Sequence, residues 1–124
     1  MNQRGMSLVE SLLALTLMGV VLTALLAAFV VMLDVNTRDD QRTLALAAAQ
    51  QVLEQRRRAD VSTLPSAGTS DVALVTIGSR EFEVVEHYCT LPEYCGDETR
   101  HVLVEVSYGG RQIVNASSVY TQLH

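Results

Sequence analysis

The sequence has no lysine and no tryptophan, and its nine basic residues are all arginine. The formal net charge of the 124-residue chain is −5 at pH 7, which argues against a general nucleic-acid-binding surface built on a strong positive field. It also has no glycine-rich phosphate loop, and its acidic residues and histidines form no recognisable catalytic set. The sequence therefore predicts a protein that is not an enzyme and that needs no cofactor.

Charge is also missing from a long stretch near the N-terminus. Residues 11–33 contain no charged side chain, and a helix of this length spans roughly 34 Å, which is enough to cross a bilayer. A secretory signal has a shorter apolar stretch of about 7–15 residues with a small-residue cleavage site after it, whereas this stretch ends at Asp34 without one. Arg4 before the stretch and Asp34 after it place the N-terminus in the cytoplasm and the rest of the chain outside.

Glu10 is the one acidic residue at the start of this stretch. A carboxylate inside the apolar part of a membrane span costs about 2.5–3.5 kcal/mol on insertion scales, so a plain membrane anchor leaves Glu10 unexplained. Such a charge usually has a partner. The alternative interpretation is a polar residue tolerated near the membrane surface.

Residues 5–10, with the sequence GMSLVE, follow a short polar leader and precede the apolar stretch. This arrangement resembles the prepilin processing signature of type IV pilins and type II secretion pseudopilins. The resemblance implies that a membrane-embedded prepilin peptidase removes residues 1–5 by cutting after Gly5, and that it methylates the new terminal amine of Met6. In most of the family a Phe stands where this chain has Met6.

The same resemblance assigns a docking role to Glu10, whose carboxylate would pair with the terminal amine of a neighbouring subunit in a filament. The expected partners are the prepilin peptidase, the inner membrane before assembly, and other pilins or pseudopilins in a filament. The filament would lie in the periplasm or at the cell surface.

Residues 34–62 continue the helix in amphipathic form. Apolar residues recur there at three- and four-residue spacing: Leu44, Ala45, Ala48, Ala49, Val52 and Leu53. This pattern predicts one long helix over residues 6–33 and onward to about Ala59, with Gly19 as a point where the membrane half could loosen. Arg56, Arg57 and Arg58 are expected on the outer face of its last turn. They could contact DNA, or they could complement the helix dipole.

A linker over residues 63–71, rich in Pro, Gly and Ser, separates the helix from a β-rich head over residues 72–124. Gly78-Ser79 predicts a hairpin with Val75 opposite Phe82, and Gly109-Gly110 predicts a second hairpin with Val106 opposite Ile113. The expected fold class is α+β, a long helix packed on an antiparallel sheet of about four strands, which resembles the pilin fold.

Cys89 and Cys95 are close together in the loop between the two hairpins. If this part lies outside the cytoplasm, a disulfide is the expected state. The alternative is a zinc site completed by His87 and His101, but the spacing matches no standard zinc motif, and such sites are less expected in an oxidising compartment. The sequence therefore predicts a disulfide and no metal.

Two functions follow as expectations. The first is a structural and assembly subunit, most like a small minor pilin or minor pseudopilin of a type IV pilus or type II secretion-like filament. The second is a filament-tip subunit that binds DNA or a surface through the arginine cluster and the disulfide loop. A plain signal-anchored surface protein is the third possibility.

Overall fold

A computed structural model describes residues 7–122, so the leader, Gly5, Met6 and the last two residues lie outside the described part. In chain order the elements are α1 (Leu8–Arg57), a 3₁₀ turn (Val61–Thr63), β1 (Gly68–Thr69), β2 (Ala73–Ile77), β3 (Arg80–Tyr88), a second 3₁₀ turn (Pro92–Tyr94), β4 (Thr99–Tyr108) and β5 (Arg111–Thr121). The chain divides into two compact units, Met1–Arg38 and Asp39–His124, and α1 contributes to both.

The first unit is the apolar part of α1. The helix continues without a break through Gly19, although that residue could have loosened it. The hydroxyl groups of Thr16 and Thr23 donate hydrogen bonds to carbonyl oxygens one turn earlier, each over 2.8 Å. These polar groups are therefore satisfied within the helix, which suits an apolar surrounding.

The second unit packs residues 39–57 of α1 against an antiparallel sheet in the strand order β1-β3-β4-β5, with β2 also paired to β3. The hairpin of β2 and β3 has the predicted register, since Val75 lies opposite Phe82. The Gly78 turn has a φ of 62°, which favours glycine. The structure therefore confirms the α+β fold class, with a fifth strand of two residues, β1, inside the segment predicted as a linker.

The register predicted for the second hairpin is wrong by one residue. Val106 lies opposite Val114, because a bulge between Val106 and Ser107 leaves Ile113 as the extra residue on β5. Without this bulge, Asn115 would point toward the helix. With the bulge, Ala116 and the buried Tyr120 point there instead.

The core lies between one stripe of α1 and the middle of the sheet. Ala45, Ala48 and Ala49 are fully buried against large residues of β3 and β4: Phe82, Val84, Val102, Val104 and Val106. The short alanine side chains let the helix backbone approach the sheet closely, while the valines fill the space between.

Helix α1 ends at Arg57, two residues before the predicted end. The Asp60 carboxylate then caps the following 3₁₀ turn, because it accepts hydrogen bonds from the Ser62 N–H at 2.9 Å and the Ser62 hydroxyl at 2.8 Å. These two bonds lower the pKa of Asp60.

Candidate functional site

Glu10 lies in the first turn of α1. Between residues 7 and 33 it is the only charged side chain, and it is exposed. The Ser7 carbonyl accepts hydrogen bonds from the N–H groups of Glu10 (2.9 Å) and Ser11 (3.1 Å), so the helix begins directly after Ser7. An acid at this position also stabilises a helix start through the helix dipole, by about 0.3–1 kcal/mol. This dipole effect is a structural explanation of Glu10 that competes with a docking role.

The helix surface that follows Glu10 is exposed and mostly apolar. By length and composition α1 could cross a membrane, and none of the residues in its most apolar stretch is buried. Phe29 and Met32, for example, are 61% and 70% exposed. Exposed apolar surface of this extent marks a contact with lipid or with other helices.

The sequence pattern predicted Arg56 on the outer face of α1, but in the structure this side chain turns toward the sheet. Its guanidinium donates two hydrogen bonds of 2.7 Å to the carboxylate of Glu86 on β3. The Glu86 side chain is only 7% exposed, and it also accepts a hydrogen bond of 3.0 Å from the Tyr88 hydroxyl. The hydrogen bonds that Arg56 donates to Glu86 raise the pKa of Arg56, and burial raises the pKa of Tyr88. This cluster joins the end of the helix to the sheet.

Glu86 is the functional neighbour that sequence reasoning missed. Strand alternation puts it on the same face of β3 as the buried Phe82 and Val84, and this alternation is the signal that could have found the inward carboxylate. A buried carboxylate needs a partner, and Arg56 supplies it.

Arg57 and Arg58 remain at the surface. Their side chains are 75% and 79% exposed, and both have long contacts, of 3.8 and 3.7 Å, with the carboxylate of Glu54. Only these two members of the arginine cluster are open to a ligand, and Glu54 partly offsets their charge. Contact with DNA stays a prediction.

Cys89 and Cys95 form the predicted disulfide, which closes the loop between β3 and β4. Cys89 has a φ of 56°, in the left-handed region, where the chain turns out of β3. The Arg100 guanidinium donates hydrogen bonds to the Gly96 carbonyl and, over 2.9 Å, to the Thr99 carbonyl. The loop is therefore held at its base, and it exposes Leu91 and Tyr94 at its surface.

The two histidines near the disulfide contact other side chains. Nδ1 of the buried His101 lies 3.1 Å from the Thr90 hydroxyl. Nδ1 of His87 lies 3.1 Å from the Thr69 hydroxyl, and its Nε2 lies 3.4 Å from the Glu105 carboxylate. Across residues 7–122, no three His, Cys, Asp or Glu side chains are grouped so that they could hold a metal ion.

A cleft of about 510 Å³ lies between α1 and the edge strand β5. Its lining residues are Gln50, Leu53, Glu54, Arg57, Ser117, Ser118 and Tyr120. The Tyr120 hydroxyl donates a hydrogen bond of 2.7 Å to the Leu53 carbonyl at one side of it.

Comparison with known proteins identifies the N-terminal segment. The family model described as "Prokaryotic N-terminal methylation motif" matches residues 1–26, so the chain carries the signature of type IV pilins and pseudopilins. No curated protein and no solved structure matches the chain. The signature implies processing by a prepilin peptidase and assembly with other pilins, and it fits membrane anchoring with a filament outside. Pilins are in general structural proteins and not enzymes.

Proposed function

We propose that this protein is a minor pilin or minor pseudopilin, a structural and assembly subunit of a type IV pilus or type II secretion-like filament. A prepilin peptidase cuts after Gly5 and methylates Met6, and the mature chain docks through Glu10. One observation carries the proposal: the methylation motif matches residues 1–26, and Glu10 is the single charge in the apolar helix that follows the leader.

The role of Glu10 follows from electrostatics in an apolar medium. A carboxylate among apolar helices or lipid is costly, and so is the terminal amine that cleavage before Met6 creates. When the two groups come from different subunits, their pairing removes both costs at once. The Glu10 carboxylate of each incoming subunit therefore favours a position beside the terminal amine of another subunit.

The proposed location is the cytoplasmic membrane, with the N-terminus inside and the β-rich unit outside, followed by transfer to a filament. Arg4 before the span and Asp34 after it support this direction. The Cys89–Cys95 disulfide also supports it, because disulfides persist in oxidising compartments.

The experiment replaces Glu10 in the full chain and follows membrane insertion and co-purification with partner pilins. Glu10→Gln removes the charge but keeps the length and the hydrogen-bonding ability of a helix-start residue. We expect normal insertion and loss of co-purification. Ser7→Ala is the matched control, because it changes the helix start and keeps the charge. Normal assembly of Glu10→Gln would contradict the docking role.

Processing is tested separately at Gly5. A bulky substitution such as Gly5→Leu obstructs the cut site, and mass spectrometry of the N-terminal peptide should then find the leader still attached. In the unaltered protein the first residue should be a methylated Met6. An unaltered chain that keeps Met1 would indicate a plain signal-anchored surface protein instead.

A second candidate function is binding at the filament tip, favoured by the disulfide loop with its exposed Leu91 and Tyr94. DNA would be the ligand if Arg57 and Arg58 take part, and the affinity would then fall steeply with salt. Binding of DNA at low salt, and its loss in Arg57→Gln with Arg58→Gln, would support this function. No binding at low salt would exclude DNA as the ligand.

A further inference from the structure

A second cleft, of about 220 Å³, lies within the second unit at the turn between β4 and β5. Its lining residues are Gln41 of α1 and, around the turn, Tyr108, Gly109, Arg111 and Ile113. Sites that hold a whole small molecule usually measure roughly 300–1,000 Å³. This cleft is therefore suited to one side chain or one small charged group.

The strand register puts Arg111 on the helix-facing side of the sheet. Arg111 lies opposite Tyr108 in the pair of β4 and β5, and opposite residues of an antiparallel pair share a face. Tyr108 is two residues after the buried Val106, so its side chain also faces α1, and its ring lies 5.4 Å from the ring of Phe82. Arg111 thus lies at the rim of the core, in the cleft that Gln41 also lines.

Arg111 differs from the other two arginines of the sheet in having no partner. The Arg80 guanidinium lies 3.1 Å from the Asp40 carboxylate. The Arg100 guanidinium donates hydrogen bonds to backbone carbonyls, one of them over 2.9 Å. Among residues 7–122, by contrast, no side chain or carbonyl forms a hydrogen bond or an ion pair with the Arg111 guanidinium. Its charge is available to a ligand.

Two further polar groups of the cleft are available in the same way. Within the described part of the chain, neither the Gln41 amide nor the Tyr108 hydroxyl has a hydrogen-bond partner. Polar groups from α1, β4 and β5 therefore converge on one small space with their hydrogen-bonding capacity unused. Such convergence in a pocket is typical of a binding site.

The charge and the shape of the cleft favour a carboxylate as the ligand. Arg111 is the one charged residue among those that line it, so a single negative charge balances it. A planar guanidinium can donate two parallel hydrogen bonds to a carboxylate. The Gln41 amide and the Tyr108 hydroxyl can donate to the remaining lone pairs. Ile113 adds an apolar wall for the methylene groups of an acidic side chain.

We propose that this cleft binds the carboxylate of an Asp or Glu side chain from a different subunit of the filament; the partner's identity as a pilin or pseudopilin rests on the proposed function. Arg111 anchors the charge, and Gln41 and Tyr108 orient the carboxylate. One copy of this chain is enough for the contact, which suits a minor subunit. Charge pairs between proteins chiefly select the partner, so the cleft determines which subunit lies beside this one.

The test uses the fact that the chain has no lysine. Arg111→Lys keeps the charge and introduces a single lysine into the full-length protein. A carbodiimide joins an amine to a carboxylate that it contacts and takes up the water released. Applied to cells that contain the partner pilins, it links the introduced lysine to the bound acid, which mass spectrometry of the linked peptides identifies. Arg58→Lys is the matched control, because Arg58 is 79% exposed and lies outside the cleft.

We expect Arg111→Lys to give at least about tenfold more product with a partner pilin than Arg58→Lys, because charge-assisted hydrogen bonds favour the bound state by about that factor. Adding Gln41→Glu should suppress this product, since a carboxylate of the chain itself then occupies the lysine. Gln51→Glu, at an exposed position of the same helix, should leave the yield unchanged.

Three results would overturn the inference. One is a yield equal to that of Arg58→Lys, and another is a link only to acidic residues of this chain. The third is no link at all, which is expected if a lipid phosphate or water alone fills the cleft. Circular dichroism of the purified Arg111→Lys chain checks that the fold is intact.

Two readouts on the same cells separate this inference from the proposed function. If the N-terminal peptide shows cleavage and the chain co-purifies with partner pilins, a missing link at the cleft rejects the carboxylate contact alone. An uncleaved leader rejects the proposed function, and the link formed by the introduced lysine then still decides whether the cleft binds a carboxylate.

Discussion

The pair formed by Arg56 and Glu86 makes the sharpest prediction about stability, and Arg56→Met is the variant that tests it. This change removes both 2.7 Å hydrogen bonds to a carboxylate that is 7% exposed and leaves it only the 3.0 Å bond from Tyr88. Breaking a buried ion pair from one side costs about 3–5 kcal/mol. Because Arg56 is itself 38% exposed, water can reach the vacated position, and we expect a loss of about 2–3 kcal/mol in the free energy of unfolding.

The loss in the free energy of unfolding should differ between variants of Arg56 and variants of Glu86. In Glu86→Gln the Arg56 side chain can turn toward water, and the amide oxygen still accepts from Tyr88, so the expected loss is about 1 kcal/mol. The double variant should lose less than the sum of the two single losses, with a coupling of about 1 kcal/mol or more. Arg57→Met is the matched control. As a change at an exposed position one residue away, it should stay within about 0.5 kcal/mol of the unaltered protein.

The assay is urea denaturation of the full chain in detergent, followed by tyrosine fluorescence. The chain has no tryptophan, and its four tyrosines all lie beyond Asp39, so the signal reports on the second unit alone. A loss in Arg56→Met no larger than in Arg57→Met would refute the reasoning. The reasoning would also be refuted if the double variant lost as much free energy of unfolding as the two single variants together.

Three further predictions concern the same unit. Reduction of the Cys89–Cys95 disulfide should lower the free energy of unfolding by no more than roughly 2–3 kcal/mol, because the loop is short; a larger loss in urea denaturation would contradict this. Burial raises the pKa of Tyr88 and Tyr120 above 10.0, so these tyrosines ionise at lower pH in the unfolded chain than in the folded one. The free energy of unfolding should therefore fall as pH rises above about 10, and it should fall less in Tyr88→Phe. Circular dichroism of unfolding at several pH values checks both expectations. Gly110→Val should cost about 1–2 kcal/mol, because Gly110 has a φ of 75°; an unchanged urea midpoint would argue against this turn.

Local patterns in the sequence were enough for the helix and for the first hairpin. The charge-free stretch and the alanine and leucine stripe predict α1, and the Gly78 turn with alternating residues predicts the register of β2 on β3. Each of these features depends on residues close together in the chain. Rules that use only neighbouring residues therefore suffice to predict α1 and the first hairpin.

The remaining features depend on contacts between distant residues. The bulge at Ile113 exists because Ala116 and Tyr120, rather than Asn115, pack toward α1, and only the docked helix makes that difference matter. The bond from Arg56 to Glu86 joins residues 30 positions apart, so no spacing rule predicts it. For the candidate site, the motif around Gly5 predicted the processing role, while the orientation of the arginine cluster required the sheet.

The proposed docking role of Glu10 also follows from what the apolar helix cannot supply. Lipid tails are as apolar as leucine, so moving the exposed side chains of α1 from a bilayer into a bundle of like helices gains little hydrophobic free energy. The free energy that favours the helix bundle over the bilayer must therefore come from side-chain packing and from pairs of polar groups. Among residues 7–33 only Glu10 carries a charge, so in the proposed filament the preference for another subunit over lipid has its largest electrostatic source at that carboxylate.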